Sequence, residues 1–493
     1  MPEPDRLPEE GAGRRVARNA IARTIGEVVA KGASVAFFVV MARKLGASSF
    51  GDFMFALSLT SIVVLASGFG TEDLLAREVA RDRSRVHDYL SNVVAVKGPT
   101  SFALVLASAG VLALLDYPQQ VVVVVVLVGC GVAFENLGKA WASVFQAFER
   151  MEFVAVALIL QRTLTAVAGS ALLLAGAGLV VAAAVFLLGA VAGCLAGLFT
   201  LRRFVVRPER RVDRRRFWPL IKAGIPIGLI TVLFQLLLKV DQTLLGFLAE
   251  GKDNRQVGFY AAAMRLVEAT MFIPWSFSAA MLPWLAKQED GRGGQVARGW
   301  ELGLKVMAVI LVPIGLGFAL LAEPLIDLLY GRGFDASVVP LRFLGITTVL
   351  IGFNNLAATL MVARDRPGDF NRLLALVAVL NISVNIALIP SYGATGAAFA
   401  AVLSSAVLAV LSLWRVTQFT GPVSLLRVFA GPVVAGAAMV AAIVGPGLPL
   451  VPAAVLGGLA YLGALGGVER LLHPADFERA MATLRRRSRP VGV

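Results

Sequence analysis

The sequence predicts an all-α polytopic membrane protein of about 14 transmembrane helices, arranged as two pseudo-symmetric six-helix lobes plus a C-terminal helix pair. Three observations carry this prediction. The 493 residues are 58% hydrophobic and only 16% charged, with a mean hydropathy of +0.78, against about 25% charged in soluble domains. Apolar runs of about 20 residues, enough to cross the hydrocarbon, recur along the chain. Arg-rich segments fall between these runs on alternate turns, as they do in membrane proteins with cytoplasmic basic loops. A net charge of +14 distributed in this way is a topology signal and not the footprint of a nucleic-acid partner.

The candidate helices are 19–42, 50–70, 92–115, 119–143, 153–176, 179–201, 219–248, 258–283, 300–322, 337–363, 370–390, 394–415, 422–444 and 449–468. The first is interrupted by Arg23, Glu27 and Lys31 at helical spacing. The fourth begins with "VVVVVV" at 121–126, which has strand propensity, but an unpaired strand in lipid leaves its backbone unsatisfied, so helix is expected. Pro226, Pro274 and Pro313 are expected inside helices seven, eight and nine, where each removes a backbone hydrogen bond and creates a bending point. Asp52 is expected at a helix start, stabilised by the dipole. The last two helices are rich in Gly, Ala and Val.

Loop charge gives the orientation. With a cytoplasmic N-terminus, the loops after even-numbered helices face the cytoplasm, and these are basic: "REVARDRSRVH", "RRFVVRPERRVDRRR" and "RDRPGDFNR", followed by the C-terminal "TLRRRSRP". The opposite loops, "DYPQQ", "AGAG" and "PSYGAT", are short and carry little charge. Both termini are therefore expected inside. The polar opening "MPEPDRLPEEGAGRR" is unlike a cleavable signal peptide. Cys130 and Cys194 lie in apolar runs and His87 and His473 in polar ones, so no disulfide or metal set is expected.

The basic stretch organises the chain. Residues 1–18 form a cytoplasmic tail, 19–201 the first lobe, 202–218 a basic linker, 219–415 the second lobe, 416–468 the final pair and 469–493 a cytoplasmic tail. A faint internal repeat supports two lobes. Aligning "SFGDFMFALSL" (49–59) with "QVGFYAAAMRL" (256–266) pairs Gly51 with Gly258 and Leu59 with Leu266, and brings Lys31 within one residue of Lys239. Two repeats around a central axis are the usual plan of secondary transporters.

Several segments carry a family resemblance. "ARKLGASSFGDFMFALSLTSIVVLASGFG", "KVDQTLLGFLAEGKDNRQVGFYAAAMRLVEATMFIPWSFSAAMLPWLAK", "LIDLLYGRGFDASVVPLRFL" and "NISVNIALIPSYGATGAAFAAVLSS" occur in order over residues 15–418. They resemble the polysaccharide transporter branch of the multidrug/oligosaccharidyl-lipid/polysaccharide exporter superfamily. The resemblance implies a two-lobed alternating-access carrier in the bacterial cytoplasmic membrane. Its expected cargo is a polyprenyl-pyrophosphate-linked glycan moved between leaflets, with membrane lipids as surroundings. A glycan polymerase or glycosyltransferases are its conceivable partners, and a monomer is expected. It also implies a lipid-facing groove for the polyprenyl tail at the last two helices. No cofactor is expected, and no GxxxxGK[ST] loop is present; coupling to a Na+ or H+ gradient or to the membrane potential takes its place.

A charge at mid-membrane costs about 2.5–3.5 kcal/mol on insertion scales, so ionisable residues inside the spans are the functional candidates. Arg23, Lys31, Lys239, Arg265 and Arg162 are assigned to a headgroup-binding cavity, because a pyrophosphate needs fixed cationic donors. Glu27, Asp241 and Glu268 are assigned to ion coupling or ion pairing, Asp241 with Arg265 being one expected pair. Glu135 and Lys139, spaced i,i+4, are expected to form a local salt bridge, Gln161 to line the first lobe, and Lys97 to snorkel from a shallow position in helix three. Asn354, Asn355, Asn381 and Asn385 are expected to hydrogen-bond between helices. No catalytic residue is assigned, since an enzyme acting on lipid-linked sugar would need paired carboxylates on a sizeable outer loop. The two remaining alternatives are export of lipid II, which has the same headgroup attachment, and drug or organic-cation antiport, which would want an acidic cavity.

Overall fold

The computed structural model describes residues 9–472 apart from 69, 208, 210, 211, 214, 216, 249–252 and 288–294; the side chains of 9–31, 217, 220, 223, 225–227, 230 and 472 also lie outside the description. Among the described residues every regular element is helical. In chain order these are α1 (Glu9–Leu65), α2 (Thr71–Arg81), α3 (Val86–Leu114), α4 (Gln119–Ala147), α5 (Met151–Leu174), α6 (Leu179–Thr200), α7 (Phe217–Leu248), α8 (Arg255–Thr270), α9 (Phe272–Lys287), α10 (Gln295–Leu320), α11 (Ala322–Tyr330), α12 (Val338–Ala363), α13 (Pro367–Thr420), α14 (Leu425–Val444) and α15 (Leu450–Leu472).

Eleven helices among the described residues are long and apolar enough to span a bilayer. Two of them each contain two of the expected helices. α1 has 57 residues and kinks at Gly46 (φ 75°), and α13 has 54 and kinks at Gly393 (φ 52°); a left-handed backbone there favours glycine. At the second kink the Ala394 amide donates to Gln256 Oε1 at 3.0 Å. The expected eighth helix is also divided, into α8 and α9, with Met271 between them. These divisions reconcile eleven helices with the fourteen crossings expected. The valine run at 121–126 is helical, within α4.

The helices group into two compact units, Met1–Ala262 with Ile382–Ala397, and Ala263–Asn381 with Ala398–Val493. In the first, α1 packs on α5 and α4, and α4 in turn on α6 and α3. The basic loop after the second expected helix contains α2, whose Leu74, Leu75 and Val79 form one buried face. That face joins Leu90 of α3, Trp141 and Phe145 of α4 and Cys194 of α6 in one apolar cluster. Cys194 is thus a small core residue, and both cysteines are free.

In the second unit α10 is the central helix, packed against α12 and α14. The C-terminal pair is fastened to it at three polar points. Lys305 Nζ lies 2.6 Å from Glu469 Oε2, the Ser424 amide donates to Glu301 Oε1 at 2.7 Å, and the Tyr461 hydroxyl donates to the Val309 carbonyl at 3.1 Å. Between them lies an apolar cluster that includes Met439, Ile443 and Tyr461.

The internal repeat reappears as a packing relation within the first unit. A Cβ placed on Gly51 would lie 1.8 Å from the Asn254 carbonyl oxygen, and one on Gly258 would lie 2.1 Å from that of Ala47. The offset that aligns Gly51 with Gly258 also aligns Ala47 with Asn254, so the approach is reciprocal. Two hydrogen bonds flank it: Ser48 Oγ to Asp253 Oδ1 at 2.7 Å and Asn254 Nδ2 to Asp52 Oδ1 at 2.8 Å. Asp52 therefore sits past the α1 kink and serves a cross-helix bond, not only a helix dipole. Gly258→Ala is expected to destabilise the protein by at least the ~1–3 kcal/mol of ordinary overpacking, since backbone atoms block the added methyl. Ser48→Ala, which loses one exposed hydrogen bond, should cost about 1 kcal/mol or less. Thermal unfolding in detergent compares the two.

The prolines are placed differently from one another. Pro313 is inside α10, as expected. Pro274 is not at mid-helix: it occupies the first turn of α9, just past the break at Met271, where its missing N–H would have no partner within the helix. Pro226 lies on α7, its side chain outside the described residues.

Candidate functional site

Within the first unit, α4 and α5 place three of the polar residues together. Arg162 Nη2 lies 3.1 Å from Glu135 Oε1, and the same carboxylate oxygen accepts a hydrogen bond from Gln161 Nε2. Glu135 therefore turns to α5 and not to Lys139, correcting the expected local salt bridge. The i,i+4 pair on an isolated helix is worth only about 0.2–0.5 kcal/mol, whereas a guanidinium and an amide from the neighbouring helix offer two directed donors. Arg162 keeps 26% of its side-chain surface accessible. It is a satisfied cation that a ligand can still reach.

A second ion pair was not anticipated. Lys97 does not snorkel: its side chain is 1% exposed, and its ammonium is hydrogen-bonded to Glu72 Oε1. The reason is geometric. α3 starts at Val86, so Lys97 lies about 16 Å along it, while α2 brings Glu72 alongside. Burial pushes the Glu72 carboxyl up, but Lys97 and Lys139 more than offset it and hold the group below the ordinary carboxylate range. Asp73, next in sequence, is raised by burial and by Glu72. Beside the pair, Asn136 Nδ2 donates to Ser67 Oγ at 2.9 Å and to Ser101 Oγ at 3.2 Å, and the two hydroxyls are 2.7 Å apart. The available sequence signal was an acidic pair opening an amphipathic stretch within a loop otherwise rich in arginine.

Among the candidate carboxylates whose side chains are described, Asp241 is the most enclosed, at 2% exposure. Its Oδ2 accepts from the Tyr260 hydroxyl at 2.8 Å and its Oδ1 from Asn385 Nδ2 at 2.7 Å, both partners being fully buried. The expectation that Asn385 bonds between helices holds, and Asn354 does so too, donating to the Ser405 carbonyl at 3.0 Å. Lys239, two residues before Asp241, is half-buried, and its carbonyl accepts from Thr243 Oγ1 at 3.1 Å. In the second unit Arg265 Nη1 lies 2.7 Å from Glu268 Oε2 on the same helix, with 14% and 20% of their side chains exposed. Arg23, Glu27 and Lys31 fall on the first arm of α1, and their side chains lie outside the described residues.

The structure thus gathers Arg162, Glu135 and Gln161 at one point, Asp241, Tyr260 and Asn385 at another, and Arg265 with Glu268 at a third. The two arginines share a design. Each lies within a helix of a membrane protein and is paired with a carboxylate, an arrangement in which an incoming phosphate can exchange with the internal anion; Arg162 is the more accessible of the two, and Arg265 is largely buried.

Comparison with known proteins places this geometry. Residues 16–289 match the family described as "Polysaccharide biosynthesis protein". The "Probable low-salt glycan biosynthesis flippase Agl15" of Haloferax volcanii is 23% identical over 416 residues, covering 82% of this chain and 84% of the relative. Among solved structures, "Lipid II flippase MurJ, inward closed conformation" superposes with a TM-score of 0.77 at 15% identity, covering 92% of this chain and 99% of that one. An inward-facing multidrug resistance MATE family transporter of the MOP superfamily gives 0.64 at 16% identity, covering 82% and 100%. At these identities the superpositions establish the fold.

Proposed function

Because the chain belongs to the polysaccharide biosynthesis protein family, we propose that it is a flippase. It carries polyprenyl-pyrophosphate-linked oligosaccharide or polysaccharide repeat units across the cytoplasmic membrane by alternating access. The observation that carries this reading is Arg162, an arginine within α5 that is paired with Glu135 and keeps 26% of its side-chain surface accessible. An organic-cation carrier would need carboxylates free to take a cation, whereas Glu135 and Glu268 are each already paired with an arginine. The name of the Haloferax volcanii relative, a glycan biosynthesis flippase, supports the same cargo class.

In this reading Arg23, Lys31, Arg162, Lys239 and Arg265 are the cations offered to the pyrophosphate. Exchange of phosphate for Glu135 and Glu268 keeps each arginine paired with an anion throughout binding. Transfer needs no resident cofactor; the gradient of Na+ or H+, or the membrane potential, supplies direction through Asp241, with Glu27 and Glu268 as further candidate carboxylates. The basic loops put both termini in the cytoplasm. The protein works as a monomer and receives its cargo from glycosyltransferases of the cytoplasmic face.

Reconstitution in liposomes tests the proposal. Polyprenyl-pyrophosphate-linked glycans should become accessible on the opposite leaflet, faster with an ion gradient than without. Transfer of none of them, with gradient-driven movement of organic cations instead, would replace this reading by antiport. Lys239→Gln and Lys31→Gln should each abolish glycan transfer while insertion and expression remain normal; wild-type rates in both would remove these residues from the site.

A further inference from the structure

Lys139 is the cation that the ion pairs around it leave over. It lies on α4 about 12 Å from the Ala147 end, one turn from Glu135, and is exposed. Glu135 is engaged by Arg162 and Gln161, and Glu72 by Lys97. Among the described residues no carboxylate lies within ion-pair distance of the Lys139 ammonium. Its charge acts on Glu72 and Lys97 of the α2–α3 pair, and Glu135 of the α4–α5 pair lies one turn away on the same helix. The helix face beside it is open: a Cβ added to Gly138 would meet nothing within 4 Å.

Resting on the flippase reading, we propose that Lys139 is the landing point for a phosphate-bearing headgroup, which it passes to Arg162 deeper along α4 and α5. The two cations suit successive tasks. Lys139 is a mobile point charge on a flexible stem, able to capture an anion in many orientations. Arg162 presents a planar fork that grips two oxygens once the anion displaces Glu135. Gln161, already donating to Glu135, keeps a hydrogen bond to the released carboxylate, so the exchange does not strip it of every partner. The recognised chemistry is a pyrophosphate or phosphodiester anion; the sugars make no part of this site.

Two assays on the full-length protein test the site. In proteoliposomes, Lys139→Gln should raise the half-saturating concentration of polyprenyl-pyrophosphate glycan about tenfold, the effect falling there and not on the maximal rate. Lys139→Arg should restore it, and the salt dependence of capture should weaken with the charge gone. In detergent, binding of inorganic pyrophosphate and of a short-chain prenyl pyrophosphate is measured separately. Both should weaken in Lys139→Gln and tighten in Glu135→Gln, where Arg162 has lost its competitor. Tighter binding of the prenyl form would mark a lipid headgroup as the natural source, and equal binding a free anion; either outcome supports the site. Unchanged affinity for both probes in Lys139→Gln, in protein with a wild-type unfolding temperature, would overturn it. Since pyrophosphate binding is read without transport, failure of the flippase reading remains distinguishable from failure of the site.

Discussion

Lys97→Met is expected to destabilise the folded protein by ~3–5 kcal/mol, the penalty for stranding one member of a buried ion pair. Lys97 is 1% exposed and its ammonium is bonded to Glu72, whose side chain is itself only 21% exposed. Methionine fills the volume of the lysine stem, so packing is nearly conserved and the loss is electrostatic. Once Glu72 loses its ammonium, burial raises its carboxyl and the group protonates or pulls α2 away from α3. α2 is an 11-residue helix whose buried face is Leu74, Leu75 and Val79, and the Glu72–Lys97 pair is a polar tie that joins it to α3. The double variant Lys97→Met/Glu72→Gln should recover most of the stability, because neutral partners of similar shape leave no charge to satisfy. The measurement is thermal unfolding in detergent, with the cycle completed by Glu72→Gln alone. A single Lys97→Met variant that unfolds within ~0.5 kcal/mol of wild type would mean that the pair is solvated and the α2 anchor lies elsewhere.

Composition and loop charge were sufficient for the fold because the bilayer leaves few alternatives. A run such as 179–201 can only be a helix in lipid, and α6 covers it. Helix continuity was less accessible. Nothing in "ARKLGASSFGD" distinguishes a loop from a kink, since a single non-helical residue, the left-handed Gly46, is all that separates the two arms of α1. The internal repeat was visible in a few letters, and its physical cause is now plain: Gly51 and Gly258 must both lack a side chain for the two backbones to meet. In the candidate site, Arg162 and Asp241 were found through a rule about the cost of intramembrane charge. Their partners were not, because Glu135 could meet Lys139 by helical spacing and Arg162 only by tertiary contact. Glu72 escaped for the same reason. It falls between the second expected helix and the basic stretch, where the sequence assigns it no role, and only tertiary packing of α2 brings it against Lys97.

Asp241→Asn should leave the protein folded yet reduce gradient-driven transfer about tenfold or more and make the residual rate indifferent to the gradient. The carboxylate is 2% exposed and accepts from Tyr260 at 2.8 Å and Asn385 at 2.7 Å. An asparagine of the same shape retains the bond from the Tyr260 hydroxyl. Its amide would face that of Asn385 donor to donor, but Asn385 can turn over and present its carbonyl oxygen. Stability is therefore largely kept, and what vanishes is the negative charge. A cation that enters with the gradient must be balanced at the point where it loses its water, and a buried carboxylate with hydrogen-bond donors already turned toward it is suited to alternate between the two partners. Asp241→Glu separates charge from geometry: it keeps the carboxylate but adds a methylene to a tightly enclosed site, so it should lose rate through overpacking while keeping some response to the gradient. The decisive comparison is initial transfer rate in proteoliposomes, with and without an imposed Na+ or H+ gradient, for wild type and both variants. An Asp241→Asn protein that accelerates with the gradient as wild type does would exclude Asp241 as the coupling carboxylate and leave Glu27 and Glu268 to be tested in its place.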